Sequence, residues 1–319
     1  MNHTYKDNSR RIQKHCHRRQ ERKLAERRRY EISDLAYEDD LKVDEMISSS
    51  LPQISTNVEV SSSLERSIDP ELSDLPHEPK TFDEDHYRGS RMIRNWRKKF
   101  LGERESLEGH EWTIAEAARE GLMKVGEMEC KKKEDLTLIN KEFNQIKGKS
   151  RDKLVAYCIR LYTRNVFVNR VVNQALRDDD ESKSETLGPF CYLLTHYLYA
   201  STTPTYRENV FRGCQLEPFM IDRYQQIVGK RSVKWLGFTS TSKSLTIAKQ
   251  FGCNVIFNID LSQFTDRFRY NRPVDISHLS EMPEEDEVLL PAGFTFIVKK
   301  VETSINDNII YIDIYGIPH

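Results

Sequence analysis

The apolar residues of this chain follow one periodicity first and another afterwards. Between residues 113 and 199 they recur at helical spacing, and Leu154, Cys158 and Leu161 occupy the i, i+4 and i+7 positions of one buried stripe. Between residues 209 and 317 short apolar runs lie between turn residues, which is typical of strands. Because the helices precede the strands and do not alternate with them, the pattern indicates an α+β fold with a mostly antiparallel sheet, not a doubly wound one.

The individual elements follow from the same patterns. We predict a helix starting at Thr113 and others over Leu136–Phe143, Asp152–Tyr162, Val166–Leu176 and Leu187–Tyr199, with a short helix over Leu245–Phe251. We predict strands over Asn209–Gly213, Val233–Ser240, Asn254–Leu261, Glu287–Leu290, Phe294–Val301 and Ile309–Ile317.

The chain ahead of this patterned region has a different composition. Hydrophobic residues make up 38% of the sequence and charged residues 31%, and the charged residues are concentrated near the start. Residues 1–88 combine charge runs with Ser- and Pro-rich stretches, so we predict a disordered tail. Residues 89–110 are basic and aromatic and form a linker or a docking helix. Residues 111–319 form the folded domain.

The basic arm, residues 10–29, is the densest charge run in the tail. It fits an interaction with nucleic acid or an import receptor, or a solvated arm without a partner. Within it, His15-Cys16-His17 lacks the second ligand cluster that a zinc site needs, so we predict no metal. The six cysteines show no Cys-x-x-Cys pair, and the chain shows neither a signal peptide nor a membrane-spanning run. We therefore expect an intracellular protein, cytoplasmic or nuclear, without a membrane partner.

Three segments of the strand-rich region carry side chains suited to chemistry. Arg212-Gly213 ends a predicted strand, where a guanidinium can bind a phosphate and glycine permits close approach of a ligand. Ser240-Thr241-Ser242 offers small hydroxyls that can orient a carboxylate or bind a ribose. Each segment alone is more typical of an ordinary surface turn or loop.

The third segment is Glu285-Asp286-Glu287, at the start of a predicted strand. Alternate residues of a strand share one face, so we expect the two glutamates to point the same way, with Cα atoms roughly 6.5–7 Å apart. Two such carboxylates suit chemistry at an anomeric carbon, where one stabilises an oxocarbenium ion and the other handles a nucleophile. A solvated acidic loop is the alternative interpretation.

In this order and spacing the three segments resemble the Arg…Ser-Thr-Ser…Glu-x-Glu signature of the arginine-specific mono-ADP-ribosyltransferases. The flanking residues extend the similarity: Gly237–Lys243 resembles the family's strand, Ile247–Phe251 its following helix, and Val288-Leu289-Leu290-Pro291 the continuation of its catalytic strand. Tyr162-Thr163 resembles the end of a family helix. The resemblance covers residues 111–317 and implies a helical part packed on a two-sheet core with an NAD cleft.

The resemblance also implies roles for single residues. Arg212 would hold the phosphates or ribose of NAD, and Gly213 the nicotinamide amide through its backbone. Ser240 would orient Glu287, with Thr241 and Ser242 supporting the site. Glu287 would stabilise the oxocarbenium ion as nicotinamide leaves, and Glu285 would position and deprotonate the acceptor guanidinium.

The substrate side of the resemblance concerns the acceptor protein. Residues 275–284 would form a target-recognition loop in which Glu281 and Glu284 attract a basic acceptor region. The aromatic residue often found in this loop of the family has no obvious counterpart here, where His278 or Met282 stands instead. Phe251 would stack near NAD or fill a buried helix end.

The predicted activity is therefore transfer of ADP-ribose from NAD, without a metal, to an exposed arginine of an acceptor protein. The residues leave two alternatives open. One is an NAD glycohydrolase on the same scaffold, with water as the acceptor. The other is a catalytically silent module that binds NAD or a partner.

Overall fold

The computed structural model describes residues 82, 89–101, 109–129, 131–164, 166–198, 204–251, 253–267, 271–305 and 307–318. The chain divides into two units, and all these residues belong to the unit formed by Asn57–Gly102 and Gly109–His319. The basic arm, residues 10–29, its His15-Cys16-His17 stretch and nearly all of the predicted tail lie outside the described residues.

Helices form the first part of the described chain. They are α1 (Arg91–Leu101), α2 (Glu111–Met128), α3 (Lys133–Ile146), α4 (Arg151–Thr163), α5 (Val168–Arg177) and α6 (Ser184–Leu198), with a 3₁₀ turn at Glu181–Lys183. Two shorter helices, α7 (Pro218–Gln226) and α8 (Leu245–Lys249), lie among the strands. The strands are β1 (Val210–Cys214), β2 (Val233–Trp235), β3 (Thr239–Ser242), β4 (Val255–Asp260), β5 (Val274–Asp275), β6 (Glu287–Leu290), β7 (Phe294–Thr303) and β8 (Ile310–Gly316).

The helical layer is packed around α6. Gly121 of α2 meets this helix so closely that a Cβ atom there would lie 1.8 Å from the carbonyl oxygen of Thr186. Gly188 meets α1 in the same way, because a Cβ atom would lie 2.6 Å from Trp96. Trp96 is 3% exposed and stacks on Phe100, so the basic and aromatic segment before residue 110 contributes a helix to the packed core.

The strands are joined in the order β2-β7-β8-β4-β1-β3-β6-β5. Neighbouring strands are antiparallel except for β4 and β8, which run parallel. The predicted α+β class with a mostly antiparallel core is therefore confirmed. The expected two sheets form one hydrogen-bonded order in the described chain, in which β1 and β3 share only the pair Phe211 and Ser242. Only this pair connects the five strands β2-β7-β8-β4-β1 to the three strands β3-β6-β5.

The main core of the sheet is aromatic. Trp235 on β2 is fully buried against Phe257 and Phe296, and its indole N–H donates to the hydroxyl of Tyr224 at 2.9 Å. Phe82 lies edge-on to the ring of Tyr224 and is 4% exposed. This core fixes the backbone of β1 and β6, whose ends carry the predicted site.

Two local predictions were wrong. The single strand predicted over Val233–Ser240 is two strands, because β2 pairs with β7 whereas β3 pairs with β6. The helix α7 was missed, although Pro218 at its start and the buried Met220 and Tyr224 four residues apart are helix signals. None of the helices in the described ranges is long and apolar enough to cross a membrane.

Candidate active site

A cavity of about 700 Å³ opens where β1, β3 and the start of β6 meet α4 and α5. Every residue singled out from the three sequence segments contributes to its wall: Arg212, Gly213, Ser240, Thr241, Ser242, Glu285 and Glu287. The strand pairing explains this convergence. Ser242 lies opposite Glu287 across the β3–β6 ladder, and alternation then places Ser240 on the same face.

Glu287 is the most deeply buried carboxylate of the cavity, with 3% of its surface exposed. Burial raises its pKa to about 7, and the neighbouring charge of Glu285 acts in the same direction. Hydrogen bonds from Ser240 and Ser280 oppose that rise, and the Ser280 hydroxyl donates to Oε2 at 3.3 Å. Arg212 also favours the ionised form. At neutral pH, Glu287 therefore populates both its ionised and its protonated form.

Glu285 does not sit on the strand, so the predicted reason for its orientation was wrong. It ends a 3₁₀ turn, Pro283–Glu285, and Asp286 follows in the left-handed region at φ 48° before β6 begins at Glu287. The turn still directs Glu285 to the cavity, where it is half-buried. Burial and the charge of Glu284 raise its pKa. The two carboxylates therefore share the cavity without sharing a strand face.

The hydroxyls of the Ser-Thr-Ser segment hold this arrangement in place. Ser242 Oγ donates to the carbonyl oxygen of Glu285 at 2.7 Å and accepts from the amide of Ser244 at 3.0 Å. Thr241 Oγ1 donates to the carbonyl oxygen of Val288 at 2.6 Å. Thr241 and Ser242 are therefore bonded to the backbone on either side of Glu287, and Ser240 is the member bonded to its carboxylate.

Arg212 is fixed by β3. Its guanidinium donates through Nη1 to the carbonyl oxygen of Ser240 at 2.6 Å, and burial lowers its pKa without neutralising it at any ordinary pH. The adjacent Gly213 is buried beneath α8, and a Cβ atom at Gly213 would lie 2.0 Å from the carbonyl oxygen of Ala248. Glycine is thus required at this position by the packing of α8 against β1.

Helices α4 and α5 supply cavity residues that the motifs did not reveal. The hydroxyl of Tyr162 donates to the carbonyl oxygen of Phe238 at 3.4 Å and accepts from Asn173 Nδ2 at 2.8 Å. Burial raises the pKa of Tyr162. Arg177, which is partly buried, adds a further cation to the wall. The predicted helix ended at Leu176, whereas α5 continues to Arg177 and carries it one turn beyond Asn173. The sequence held no signal that this face meets β3.

The loop predicted to recognise targets runs from β5 to the 3₁₀ turn. Its start is fixed by Asp275, which accepts from Lys243 Nζ at 2.7 Å and from Ser277 Oγ at 2.6 Å. Glu281 and Glu284, which were expected to attract a basic acceptor region, are both exposed. The charge of Glu281 is already paired, because Arg164 Nη2 donates to Glu281 Oε1 at 3.0 Å.

The remaining predicted positions lie as follows. Met282 and Phe251 both line the cavity, and Phe251 is only partly buried, which leaves part of its surface toward the cavity. His278 does not line it. Within the described ranges, no group of three or more His, Cys, Asp or Glu side chains could hold a metal ion.

A family model described as NAD:arginine ADP-ribosyltransferase matches residues 107–316, which is more than half of the chain. The chain therefore belongs to that family. It is an NAD-dependent ADP-ribosyltransferase, and the carboxylate-lined cavity between the helices and the sheet lies within the matched region. No curated protein matches the chain.

Several solved structures resemble this chain. The type III effector XopAI from Xanthomonas axonopodis pv. citri shares 15% identity and a TM-score of 0.49, covering 72% of this chain and 95% of the effector. The ADP-ribosyltransferase HopU1 of Pseudomonas syringae pv. Tomato DC3000 shares 18% identity and a TM-score of 0.46, covering 66% and 98%. C3stau2 from S. aureus with NAD shares 20% identity and a TM-score of 0.42, covering 56% and 92%.

Proposed function

We propose that this enzyme transfers ADP-ribose from NAD to arginine side chains of an acceptor protein and releases nicotinamide. The observation that carries the proposal is the pair of unlike carboxylates at one cavity. Glu287 is buried and bonded to two serine hydroxyls, whereas Glu285 is half-buried and has solvent on one side. A buried carboxylate suits a developing cation, and one at the opening suits an incoming nucleophile.

In the first step the glycosidic bond between the ribose C1′ and the nicotinamide nitrogen breaks. Nicotinamide leaves with the bonding electron pair as a neutral molecule, so the positive charge passes to the ribose as an oxocarbenium ion. Ionised Glu287 would stabilise this charge, and its low-dielectric surroundings would strengthen the attraction. Ser240 and Ser280, which bind the same carboxylate, would keep its orientation fixed.

In the second step a guanidinium nitrogen of the acceptor attacks C1′. A free arginine has a pKa above about 12, so it must lose a proton as it forms the new bond. Glu285 would accept that proton, and its raised pKa makes it a better base than an exposed glutamate. The products are ADP-ribosylated arginine, nicotinamide and one proton. Glutamate at this position favours a guanidinium over a neutral acceptor, because opposite charges attract.

The cationic wall of the cavity would hold the donor. NAD carries a pyrophosphate, and Arg212 and Arg177 both line the cavity. Arg212 is already oriented by its bond to Ser240, so little side-chain freedom would be lost on binding. Gly213 leaves backbone groups of β1 within reach of the nicotinamide amide. Thr241 and Ser242 act through the backbone of the strand and turn that carry the two glutamates.

The test is incubation of the full chain with labelled NAD and polyarginine. We expect label on the acceptor that hydroxylamine removes. Glu287→Gln is expected to lose both nicotinamide release and labelling, whereas Glu285→Gln is expected to lose labelling and retain part of the release. Glu302→Gln, at an exposed position of β7, provides a matched control with the same chemical change.

Two outcomes reject arginine transfer, and a third rejects only the roles assigned to the two glutamates. Free ADP-ribose without labelled acceptor identifies an NAD glycohydrolase, in which water takes the place of the guanidinium. An absence of both products, alike in the wild type and in Glu287→Gln, identifies a catalytically silent binding module. Equal loss of release and labelling in Glu285→Gln contradicts the separate roles of the two glutamates.

A further inference from the structure

Arg164 joins three parts of the molecule at the rim of the cavity. It follows the last residue of α4 and donates through Nη1 to both carboxylate oxygens of Glu142 on α3, at 3.0 and 3.1 Å. Its Nη2 donates to Glu281 Oε1 in the recognition loop, at 3.0 Å. Arg164 and Glu281 are 117 residues apart in the sequence. The bond between them is therefore a tertiary tie between the helical layer and the loop.

The neighbouring residue strengthens the tie. Thr163 Oγ1 accepts the backbone amide of Glu281 at 3.0 Å, so the end of α4 holds both the side chain and the backbone of one loop residue. Hydrogen bonds then connect this loop to Glu285 and Glu287. Ser280 Oγ donates to Glu287 and accepts from the amide of Met282 at 3.1 Å, and the amide of Glu285 donates to the carbonyl oxygen of Met282 at 3.1 Å.

A phosphate-binding role is the obvious alternative for an arginine on the wall of an NAD cavity. The contacts of Arg164 argue against it, because its guanidinium charge is engaged by two carboxylates. The side chains of Arg164 and Glu142 are 24% and 23% exposed, so solvent screens this pair less than an ordinary surface pair. A phosphate would have to displace a carboxylate that is already bonded through both of its oxygens.

We propose that Arg164 is a positioning residue that holds the loop formed by residues 277–284 against α4, so that an acceptor guanidinium meets Glu285 beside the ribose. This proposal rests on the proposed arginine transfer. Arg164 acts through Glu281 and does not contact NAD. It follows that loss of the tie impairs transfer to an acceptor far more than cleavage of NAD.

The variants are chosen to break the tie from both ends. Arg164→Ala and Glu281→Ala each remove it, and Arg164→Lys keeps the charge but lacks the planar fork with which arginine spans the two carboxylates. Arg160→Ala is the matched control, because Arg160 is exposed on the preceding turn of the same helix and is not part of the cavity wall. The full chain is used, and thermal unfolding confirms that each variant is folded.

Three quantities are measured at about pH 8, above the pKa of about 7 of Glu287. They are nicotinamide release without acceptor, labelling of polyarginine, and hydrogen exchange of residues 277–284. We expect labelling to fall about 10- to 100-fold in Arg164→Ala and Glu281→Ala, the range for a reacting group displaced by about an ångström. We expect release to stay within about threefold, since Ser240 still bonds Glu287 and Arg212 still bonds the carbonyl oxygen of Ser240 when the loop is freed. Labelling by Arg164→Lys should lie between that of the wild type and that of Arg164→Ala. Hydrogen exchange of residues 277–284 should be fastest in the variants that lose the most labelling.

The outcomes separate the possible roles. A raised KM for NAD in Arg164→Ala, with slow loop exchange retained, would overturn the proposal in favour of phosphate binding. Unchanged labelling and exchange in both variants would overturn it outright. If the wild type cleaves NAD but labels no acceptor, arginine transfer is wrong. Loop exchange alone then decides whether the tie exists: faster exchange in Arg164→Ala than in Arg160→Ala supports it, and equal exchange rejects it.

Discussion

Replacing Glu287 by glutamine should stabilise the enzyme while it abolishes activity, and the gain should depend on pH. The pKa of this carboxyl is about 7 in the folded protein against a reference of 4.5. Between these values the folded state binds the proton and the unfolded chain does not, so the free energy of unfolding falls as pH rises. The contribution is complete below pH 4.5 and is lost as the pH passes 7.

The magnitude follows from the size of the shift. Each unit of pKa corresponds to about 1.36 kcal/mol, so a shift from 4.5 to about 7 corresponds to roughly 3 kcal/mol. This is a substantial part of the roughly 5–15 kcal/mol that stabilises a typical domain. Glutamine is close to glutamate in shape and never ionises, so the variant does not lose this stability as the pH rises. Above pH 7 the Gln variant should therefore exceed the wild type by roughly 3 kcal/mol, and near pH 4.5 the two should be nearly equal.

Urea denaturation of both proteins at pH 5, 6.5 and 8 measures this difference directly. Other titrating groups are common to the two chains and cancel when the curves are subtracted. Glu302→Gln, at an exposed position of β7, is the control with the same chemical change. A difference for Glu287→Gln that is constant with pH, or that is largest at pH 5, would refute the argument that burial sets the pKa of Glu287.

Three further predictions concern packing around the site. Trp96→Ala should lower the free energy of unfolding by about 3–5 kcal/mol in urea, because it empties the contact with Gly188; a loss below about 1 kcal/mol would contradict that packing. Gly213→Ala should reduce nicotinamide release and cost roughly 1–3 kcal/mol of stability, since the new Cβ atom meets the carbonyl of Ala248; wild-type release would show that α8 moves aside freely. Ser242→Ala should cost about 1–2 kcal/mol and reduce labelling of polyarginine more than nicotinamide release, because the turn at Glu285 loses its bond. Equal losses of labelling and release would argue against that role for Ser242.

The convergence of Arg212, Ser240 and Glu287 on one cavity could be predicted from the sequence, because their order along the chain resembles a known family signature. The fold class followed from periodicity, since a helical stripe such as Leu154–Leu161 and an apolar run such as that of β4 differ in spacing. The backbone geometry of the acidic segment Glu285-Asp286-Glu287 could not be predicted from the sequence. A strand-like pattern gives no sign that Asp286 adopts φ 48°, a conformation that non-glycine residues visit infrequently, and this residue decides where Glu285 points.

Long-range partners were also beyond the reach of the sequence. Arg164 was not singled out, Glu281 was expected to attract an acceptor, and nothing local in the sequence marks the two as a pair. The same holds for Asn173 and Tyr162, whose bond depends on how α5 turns back on α4. Short-range signals can be read from a single sequence because they depend on neighbours at fixed spacing. A contact set by tertiary packing has no such fixed spacing.

The position of β8 has a consequence for how the enzyme is assembled. It is the last of the eight strands in the part of the chain that the structure describes, yet it lies inside the sheet between β7 and β4. During synthesis, β1, β3, β6 and both glutamates are therefore made before β8. Only β8 connects the part of the sheet that contains these strands to β7 and β2. Until then the edges of β4 and β7 remain open to other chains. Synthesis would thus leave the emerging enzyme without a complete sheet, and without its chemistry, until β8 is in place.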